Sequence, residues 1–422
     1  MIFLVDANNF YVSAERIFRP DLEGKPVVVL SSNDGNVIAR SNEAKNLKIP
    51  MGEPVFKLPE LVKKHNVQLL SANFTLYGDI SARLMRILNQ FVEEIEIYSI
   101  DEAFLDLTTY EQVYSDLPMF AHQIKSTVNQ WLGLPVSVGI APNKTLSKVA
   151  NWFAKRRPEH NGVLQLSNPN EIQNALSDFP CGEVWGIGHQ YNQLLKKNGI
   201  ITAYDLTQCH DVWIQKHMTI DGLRLVDELR GNPRRSIQRY PQPKKSILTS
   251  PTFGKPVDDL KTLQEALTTH VVRCAEKLRR QQSAARLLTV YLQTNPFRKQ
   301  EPQYFNHQSV VLPHPSSATP ELLQYAIGVL NSIYKPAYHY KRVGVMLSGF
   351  VPEDFQQSNL FTEVPDERLR VVSKTIDMLN EKYGRDKIRF AAQGYSDHWK
   401  PRSKFLSRRY TTRWNEILRI TK

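Results

Sequence analysis

The sequence predicts a multi-domain α+β protein that uses the ferredoxin-like βαββαβ order twice. Three observations carry this. The order strand, helix, strand, strand, helix, strand occurs once in the first 167 residues, with an insertion, and again over 245–351. Between the two copies, 168–238 reads as short helices with glycine turns, and 239–244, "RYPQPK", is a proline-rich basic linker. The chain has 422 residues and is 41% hydrophobic, enough for several cores of ordinary size.

The elements follow in order. "IFLV" at 2–5 is a short buried strand ending on Asp6, and "NNFYVSAERIF" has Phe10, Ala14 and Ile17 at near-helical spacing. Residues 20–76, including "KPVVVLSSNDGNVIARSNEAKNL", alternate short strands and helices and read as an insertion. A helix is expected over about 77–91. "IEIYSIDEAFLDL" at 95–107 then alternates on both sides of Ile100–Asp101, which predicts a hairpin with its tip there. One continuous strand is the competing reading. A helix at about 117–131 and the strand "LPVSVGIA" close the first copy. In the second, "KSILTS", "RLLTVYLQT", "NHQSVVLP" and "KRVGVMLSGF" are the strands, and 261–282 and 319–333 the helices. From about 352 the tail reads as less regular, and it ends in a basic stretch.

Net charge is +12 and charged residues make up 23%, with no low-complexity tract. This is a folded chain whose balance favours an anionic partner, nucleic acid before a membrane surface. Cys181, Cys209 and Cys274 are far apart, odd in number and without a CxxC, which argues against a disulfide framework or a zinc site. The first apolar run is too short for a signal peptide and no window reads as a membrane span, so a cytoplasmic protein is expected.

Three constellations carry chemistry. Asp6, Asp101 and Glu102 come from the first strand and the central hairpin, which can be neighbours in this sheet. Three carboxylates together cannot all ionise without cations, and oxygen ligands select hard ions, Mg²⁺ by default. Alone, Asp6 reads equally as a helix N-cap, and Asp101–Glu102 as a polar turn. The second is "VWGIGHQYNQLLKKNGI" at 184–200. Its Gly186-Ile187-Gly188 turn offers backbone N–H groups to a nucleic-acid phosphate, or is an ordinary helix–turn–helix. The third is a pair of basic strips, "NEAKNLKIPMG" with Lys45, and "APNKTLSKVANWFAKRRP" with Lys144, Lys148, Lys155, Arg156 and Arg157. Lys144, Lys148 and Lys155 fall roughly on one helical face. They would suit a metal-bound triphosphate; a solvated helix face is the plainer reading.

These motifs resemble a family. "DANNFYVSAE" and "YSIDEAFLDLT" are similar to the two metal-site motifs of the Y-family DNA polymerases, and "VSVGIAPNKTLSKVAN", the GIG turn and the order of parts match as well. "FRPDLEGKPVVVLSSNDGNVIARSNEAK" and "RYTTRW" resemble the UmuC branch, the catalytic subunit of bacterial DNA polymerase V. The resemblance covers the whole chain. It implies a right-hand polymerase: palm at 1–19 and 77–167, fingers at 20–76, and a helix-hairpin-helix thumb at 168–238. After the linker come a little finger at 245–351 and a partner-binding tail at 352–422.

It also implies an error-prone translesion polymerase of the DNA-damage (SOS) response, acting on primed DNA and dNTP with two Mg²⁺ ions. Asp6, Asp101, Glu102 and the Ala7 carbonyl would hold the metals, with Asp101 and Glu102 catalytic. Tyr11 would be the steric gate against a ribose 2′-OH, Phe10 would pack beside the nucleotide, and Lys45 and Lys155 would bind its triphosphate. Gly186, Ile187 and Gly188 would hold the DNA backbone. A UmuD′ dimer and RecA are the implied partners, and Gln357, Leu360 and Phe361 of "QSNLF" resemble a sliding-clamp peptide, with Ser358 where leucine is common. Ala39 and Asn42 stand where many members carry Thr and Tyr. Those triphosphate contacts do not carry over, and Arg40 is the candidate replacement. A palm-type nucleotidyl cyclase and a catalytically silent DNA-binding scaffold are the rival readings. Tyr11, the GIG turn and the second basic domain weigh against the first, the acid triad against the second.

Overall fold

The computed structural model describes residues 1–110, 114, 116–354 and 367–419. The chain divides into two compact units, Met1–Ser31, Asn36–Pro241 and Phe405–Lys422 in one, Ser32–Gly35 and Gln242–Lys404 in the other. In chain order the strands of the first are β1 (Ile2–Ala7), β2 (Val27–Leu30), β3 (Val37–Arg40), β4 (Gln68–Ser71), β5 (Ile95–Ile97), β6 (Glu102–Asp106), β7 (Val136–Ala141) and β8 (Val163–Gln165). Those of the second are β9 (Ser246–Thr249), β10 (Ser283–Thr294), β11 (Phe305–Ser316) and β12 (Tyr340–Pro352).

The larger sheet of the first unit has the order β5-β6-β1-β7-β8. Strand β1 lies at its centre, antiparallel to both β6 and β7, and every one of its residues is buried. A central strand covered on both faces is apolar on both faces, which is why "IFLV" is a run and not an alternation. Phe3, Val5 and Ala7 join a core built with the helices Phe74–Leu88 and Leu117–Leu132. Ile2 and Leu4 point the other way, with Phe104. The insertion forms its own sheet, β3-β2-β4, around Val28, Leu30 and Val37.

On β7, Gly139 decides how close the helix Lys144–Arg156 can come. A Cβ at this position would stand 2.2 Å from the Ser147 carbonyl and 2.3 Å from the Asn151 nitrogen, both backbone atoms. Only glycine admits that approach. Asn151 then stitches the helix to the sheet, its Nδ2 donating to the carbonyls of Ser137 (3.0 Å) and Leu4 (3.2 Å). The basic helix is thereby fixed directly beside β1.

The second unit is a four-stranded antiparallel sheet, β11-β10-β12-β9, packed against the helices Leu260–Arg280 and Thr319–Ile333. Chain order is strand, helix, strand, strand, helix, strand, as the sequence predicts. The tail departs from its expectation, because Glu367–Tyr383 is a regular helix. Its buried contacts are polar: Asp377 takes a bidentate pair from Arg279 (2.6 and 2.9 Å), and the Ser373 hydroxyl accepts from the Thr319 nitrogen. Leu369, Val372, Ile376 and Leu379 stand at helical spacing, a signal the sequence reading passed over.

His270 sits in this unit's interior, 2% exposed, edge-on to Trp399, with Nε2 lacking a partner. Burial pushes its pKa down to about 4. The unfolded chain therefore binds the extra proton first, and stability contributed by neutral His270 is lost as pH falls from about 6.5 to about 4. Denaturant unfolding at pH 7 and pH 4.5 should show the loss, up to on the order of 3 kcal/mol. His270→Phe should flatten it, and an unchanged pH slope in the variant would refute the assignment.

Candidate active site

The site begins with the register of two strands. Asp6, on β1, lies directly opposite Glu102, the first residue of β6. Strands β5 and β6 form the expected hairpin, with Ile95 opposite Leu105 and Ile97 opposite Ala103. Ser99 holds its tip. Its hydroxyl donates to Asp101 Oδ1 (2.6 Å) and accepts from the backbone nitrogens of Asp101 (3.3 Å) and Glu102 (3.1 Å). The Asp101 carbonyl accepts from the Ala7 nitrogen at 2.9 Å, which ties the tip to the end of β1. Asp6 is not an N-cap: the helix Phe10–Phe18 is capped by Asn9, in the left-handed region at φ 50°, with no side-chain cap bond.

Each acid of the Asp6–Glu102 pair meets a lysine of the glycine-seated helix. Lys155 pairs with Asp6. Lys148 pairs with both Glu102 oxygens, at 3.0 and 3.1 Å, and sits over the rings of Tyr98, Trp185 and Phe104. Lys144, 3% exposed, pairs with Glu96 and donates to the Ser236 carbonyl. The three lysines do not form a solvated face. Burial pushes the Asp6 carboxyl up to about 7, against the pull of Lys155 and with a push from Glu102.

Asp6, Ala7 and Asp101 line a cleft of about 750 Å³, together with Phe10, Tyr11, Arg40, Lys45, Lys155 and Arg156. The cations are crowded. Burial, and then the charges of Arg40, Lys155 and Arg156, hold the Lys45 ammonium below the usual lysine range. Lys45 donates to Asn9 Oδ1 at 2.5 Å, and Arg40 to the Ile49 carbonyl at 2.6 Å while its buried Nε has no partner. Such a wall is matched to a polyanion.

Tyr11 stacks on Tyr77, ring centroids 4.5 Å apart and planes 17° apart, and Phe10 is buried beneath it. Burial, then the nearby Asp101 charge, raises the Tyr11 phenol's pKa and keeps it neutral.

The donor chemistry fits a hard divalent cation. The cleft offers carboxylate oxygens, and a buried acid that resists ionisation gains from a cation beside it. The three acids are not gathered into one set, however. Among the described residues, no three His, Cys, Asp or Glu side chains come together as metal ligands. Asp6 and Asp101 share the cleft, and Glu102 touches the Asp6 carboxyl while pairing with Lys148.

Gly186, at φ +92°, makes the turn that its glycine permits, and Gly188 caps the helix His189–Lys197. A Cβ on Gly188 would meet nothing within 4 Å, so the approach to this helix start is open. Ile187 is buried and its N–H is spent on the Val184 carbonyl (2.9 Å). Trp185 joins the turn to the hairpin, Nε1 donating to the Tyr98 hydroxyl at 2.9 Å. Gln357, Leu360 and Phe361 lie outside the described residues. Sequence reasoning missed Asn9 and Met51 as cleft residues, and it named Arg156 in the basic strip without giving it a role at the site. Its place beside Lys155 in the last helical turn was the available signal.

Comparison with known proteins settles the family. Residues 5–151 match the impB/mucB/samB family, 244–360 its C-terminal domain, and 371–420 a domain of unknown function (DUF4113). The chain is 40% identical to "Protein UmuC" of Salmonella typhimurium over 100% of both chains, and 39% identical to "Protein ImpB" of that species over 99% of both. It belongs to the UmuC branch of the Y-family DNA polymerases. A "DNA polymerase IV" of Xanthomonas campestris pv. campestris is 30% identical, over 86% of this chain and 98% of that one. This UmuC-branch chain is accordingly a DNA-directed DNA polymerase of the translesion class. Solved structures agree on the fold. A Y-family chimera of Dbh and Dpo4 superposes with a TM-score of 0.67 at 22% identity, over 83% of this chain and 99% of that one. The insertion ternary complex of Dbh DNA polymerase gives 0.53 at the same identity and coverage. Among the described residues no helix is long and apolar enough to cross a membrane.

Proposed function

We propose that the cleft transfers a deoxynucleoside monophosphate from a dNTP to a primer 3′-hydroxyl, under template direction and with tolerance of damaged template, in the SOS response. The observation that carries this reading is one cleft lined by Asp6 and Asp101 together with Arg40, Lys45, Lys155 and Arg156. The cations would take the triphosphate, Tyr11 would face the sugar as gate, and Phe10 would support it. Asp6, Asp101 and the Ala7 carbonyl would hold divalent cations, with Mg²⁺ favoured by the all-oxygen donors. Glu102 would complete the set on exchanging its lysine partner. Two such ions, when bound, supply charge neutralisation at the attacking and leaving oxygens.

In this reading 1–19 and 77–167 form the palm, 20–76 the fingers, 168–238 the thumb, 239–244 the linker and 245–351 the little finger. The open helix start at Gly188 would hold a backbone phosphate of the DNA. The tail, 352–422, would meet a UmuD′ dimer and RecA, and Gln357, Leu360 and Phe361 a sliding clamp. The chain would act in the cytoplasm, at the nucleoid.

The test is extension of a labelled primer on an intact template and on one with an abasic site. It supplies each dNTP singly and then all four together with Mg²⁺, with and without a UmuD′ dimer and RecA filament. Template-matched addition on the intact strand, and continued synthesis past the lesion, is the expected result. No addition in any arm, from folded protein that still binds the duplex, would sink the reading.

A further inference from the structure

A helix-borne acid of the first unit has no role in the site just described, and it connects that site to the chain's C-terminal segment. Glu15 is fully buried in the helix Phe10–Phe18. Its Oε1 accepts two hydrogen bonds, from the Tyr77 hydroxyl (2.8 Å) and from the Ser407 hydroxyl (2.8 Å), and its buried Oε2 has no partner. Tyr77, itself fully buried, is the ring on which Tyr11 stacks.

Ser407 is held in place by a segment docked at several points. The Phe405 nitrogen donates to Ser71 Oγ (2.9 Å), and the Phe405 carbonyl accepts from the Ser71 nitrogen (3.0 Å), next to the end of β4. Asn73 donates to the Ser407 hydroxyl (3.0 Å) and to the carbonyls of Ser407 and Arg408 (3.2 Å each), while its own Oδ1 caps the helix Phe74–Leu88 that carries Tyr77. Tyr410 stacks on Phe18, centroids 4.8 Å apart and planes 10° apart. One segment thus grips both the helix that bears Tyr11 and Glu15 and the helix that bears Tyr77.

We propose that residues 405–410 brace the sugar gate: Ser407, through Glu15 and Tyr77, sets the position of the Tyr11 ring and so tunes the choice between deoxyribose and ribose. Ser407 is a positioning residue, remote from the substrate. This part of the chain falls in the region matching a domain of unknown function. The physical ground is the shared acceptor. A buried carboxylate with one oxygen unpartnered depends on the two donors it has, and losing either loosens the other's anchor. The Tyr77 hydroxyl fixes that ring's in-plane rotation, and the ring is the surface against which Tyr11 rests.

The proposal rests on Tyr11 being the gate, and the experiment separates the two. Single-nucleotide primer extension by the full chain, with a dNTP and the matching rNTP, gives kcat and KM for each. The variants are Ser407→Ala, Ser407→Thr, Tyr77→Phe and Tyr11→Ala. Ser407→Ala should lower deoxyribose discrimination roughly fivefold, the share of one buried hydrogen bond, with dNTP kcat unchanged. Ser407→Thr should restore it. Tyr77→Phe should act alike, and neither change should add to Tyr11→Ala. If Tyr11→Ala loses discrimination while Ser407→Ala and Tyr77→Phe keep it, the brace is overturned and the gate stands. If Tyr11→Ala keeps discrimination, the gate reading fails and the brace with it. A fall in dNTP and rNTP rates by one common factor in Ser407→Ala would mark a merely structural contact and overturn the proposal.

Discussion

Primer extension should fall at least roughly 1,000-fold in Asp101→Ala, the scale expected when a charge central to phosphoryl transfer is removed. The structure gives this residue no substitute. Its carboxylate is oriented by the Ser99 hydroxyl and its carbonyl is bound to the Ala7 nitrogen, which fixes the acid at the hairpin tip. Asp6 is already engaged by Lys155, and Glu102 by Lys148. Asp101→Asn separates charge from shape, since an amide keeps the acceptor for Ser99 and loses the charge. Both variants should lose extension alike and bind primed duplex as the wild type does, measured by fluorescence anisotropy. Extension at the wild-type rate by either variant would remove Asp101 from the chemistry.

The second large effect is expected at Tyr11. Tyr11→Ala should reduce discrimination against ribonucleotides by roughly 100-fold, because a site that rejects a hydroxyl by contact loses that rejection with the ring. The ring's setting argues for a sharp effect. It is stacked face to face on Tyr77, edge-on to Phe74, and faces the charge of Asp101. A ring backed by two aromatic neighbours resists swinging aside to admit a bulkier sugar. Tyr11→Phe keeps the ring and should keep the discrimination, which tests shape against hydroxyl. Unchanged sugar selectivity in Tyr11→Ala would end its role as a gate.

Much of this was readable from residue patterns, for a definable reason. Strands β1 and β7 announce themselves as apolar runs, and the "SIDE" acids as an interruption that only a tip or a site explains. The second βαββαβ unit follows from local periodicity in the same way. What escaped is what the chain brings together over long separations. Nothing local in "KTLSKVANWFAKR" assigns Lys148 to Glu102 or Lys155 to Asp6; those pairs depend on Gly139 allowing the helix down onto β7. Glu15 looks like any acid on an amphipathic helix, because its partner Ser407 lies 392 residues away. The helix Glu367–Tyr383 was legible in Leu369, Val372, Ile376 and Leu379 at helical spacing and was passed over, whereas its polar docking to Arg279 and Thr319 is not local.

The lysine–acid pairs also bear on which ligands the cleft can retain. With Lys155 on Asp6 and Lys148 on Glu102, two of the site's cations are committed to its own acids. A bare anion such as orthophosphate could recruit Lys155 only by stripping Asp6, leaving a carboxylate in a setting that already resists its charge. An anion escorted by divalent cations exposes no carboxylate when it takes the lysine. If the cleft holds a dNTP as proposed, the pairing would reserve Lys155 for cation-loaded triphosphates, by the charge they bring and not by their shape.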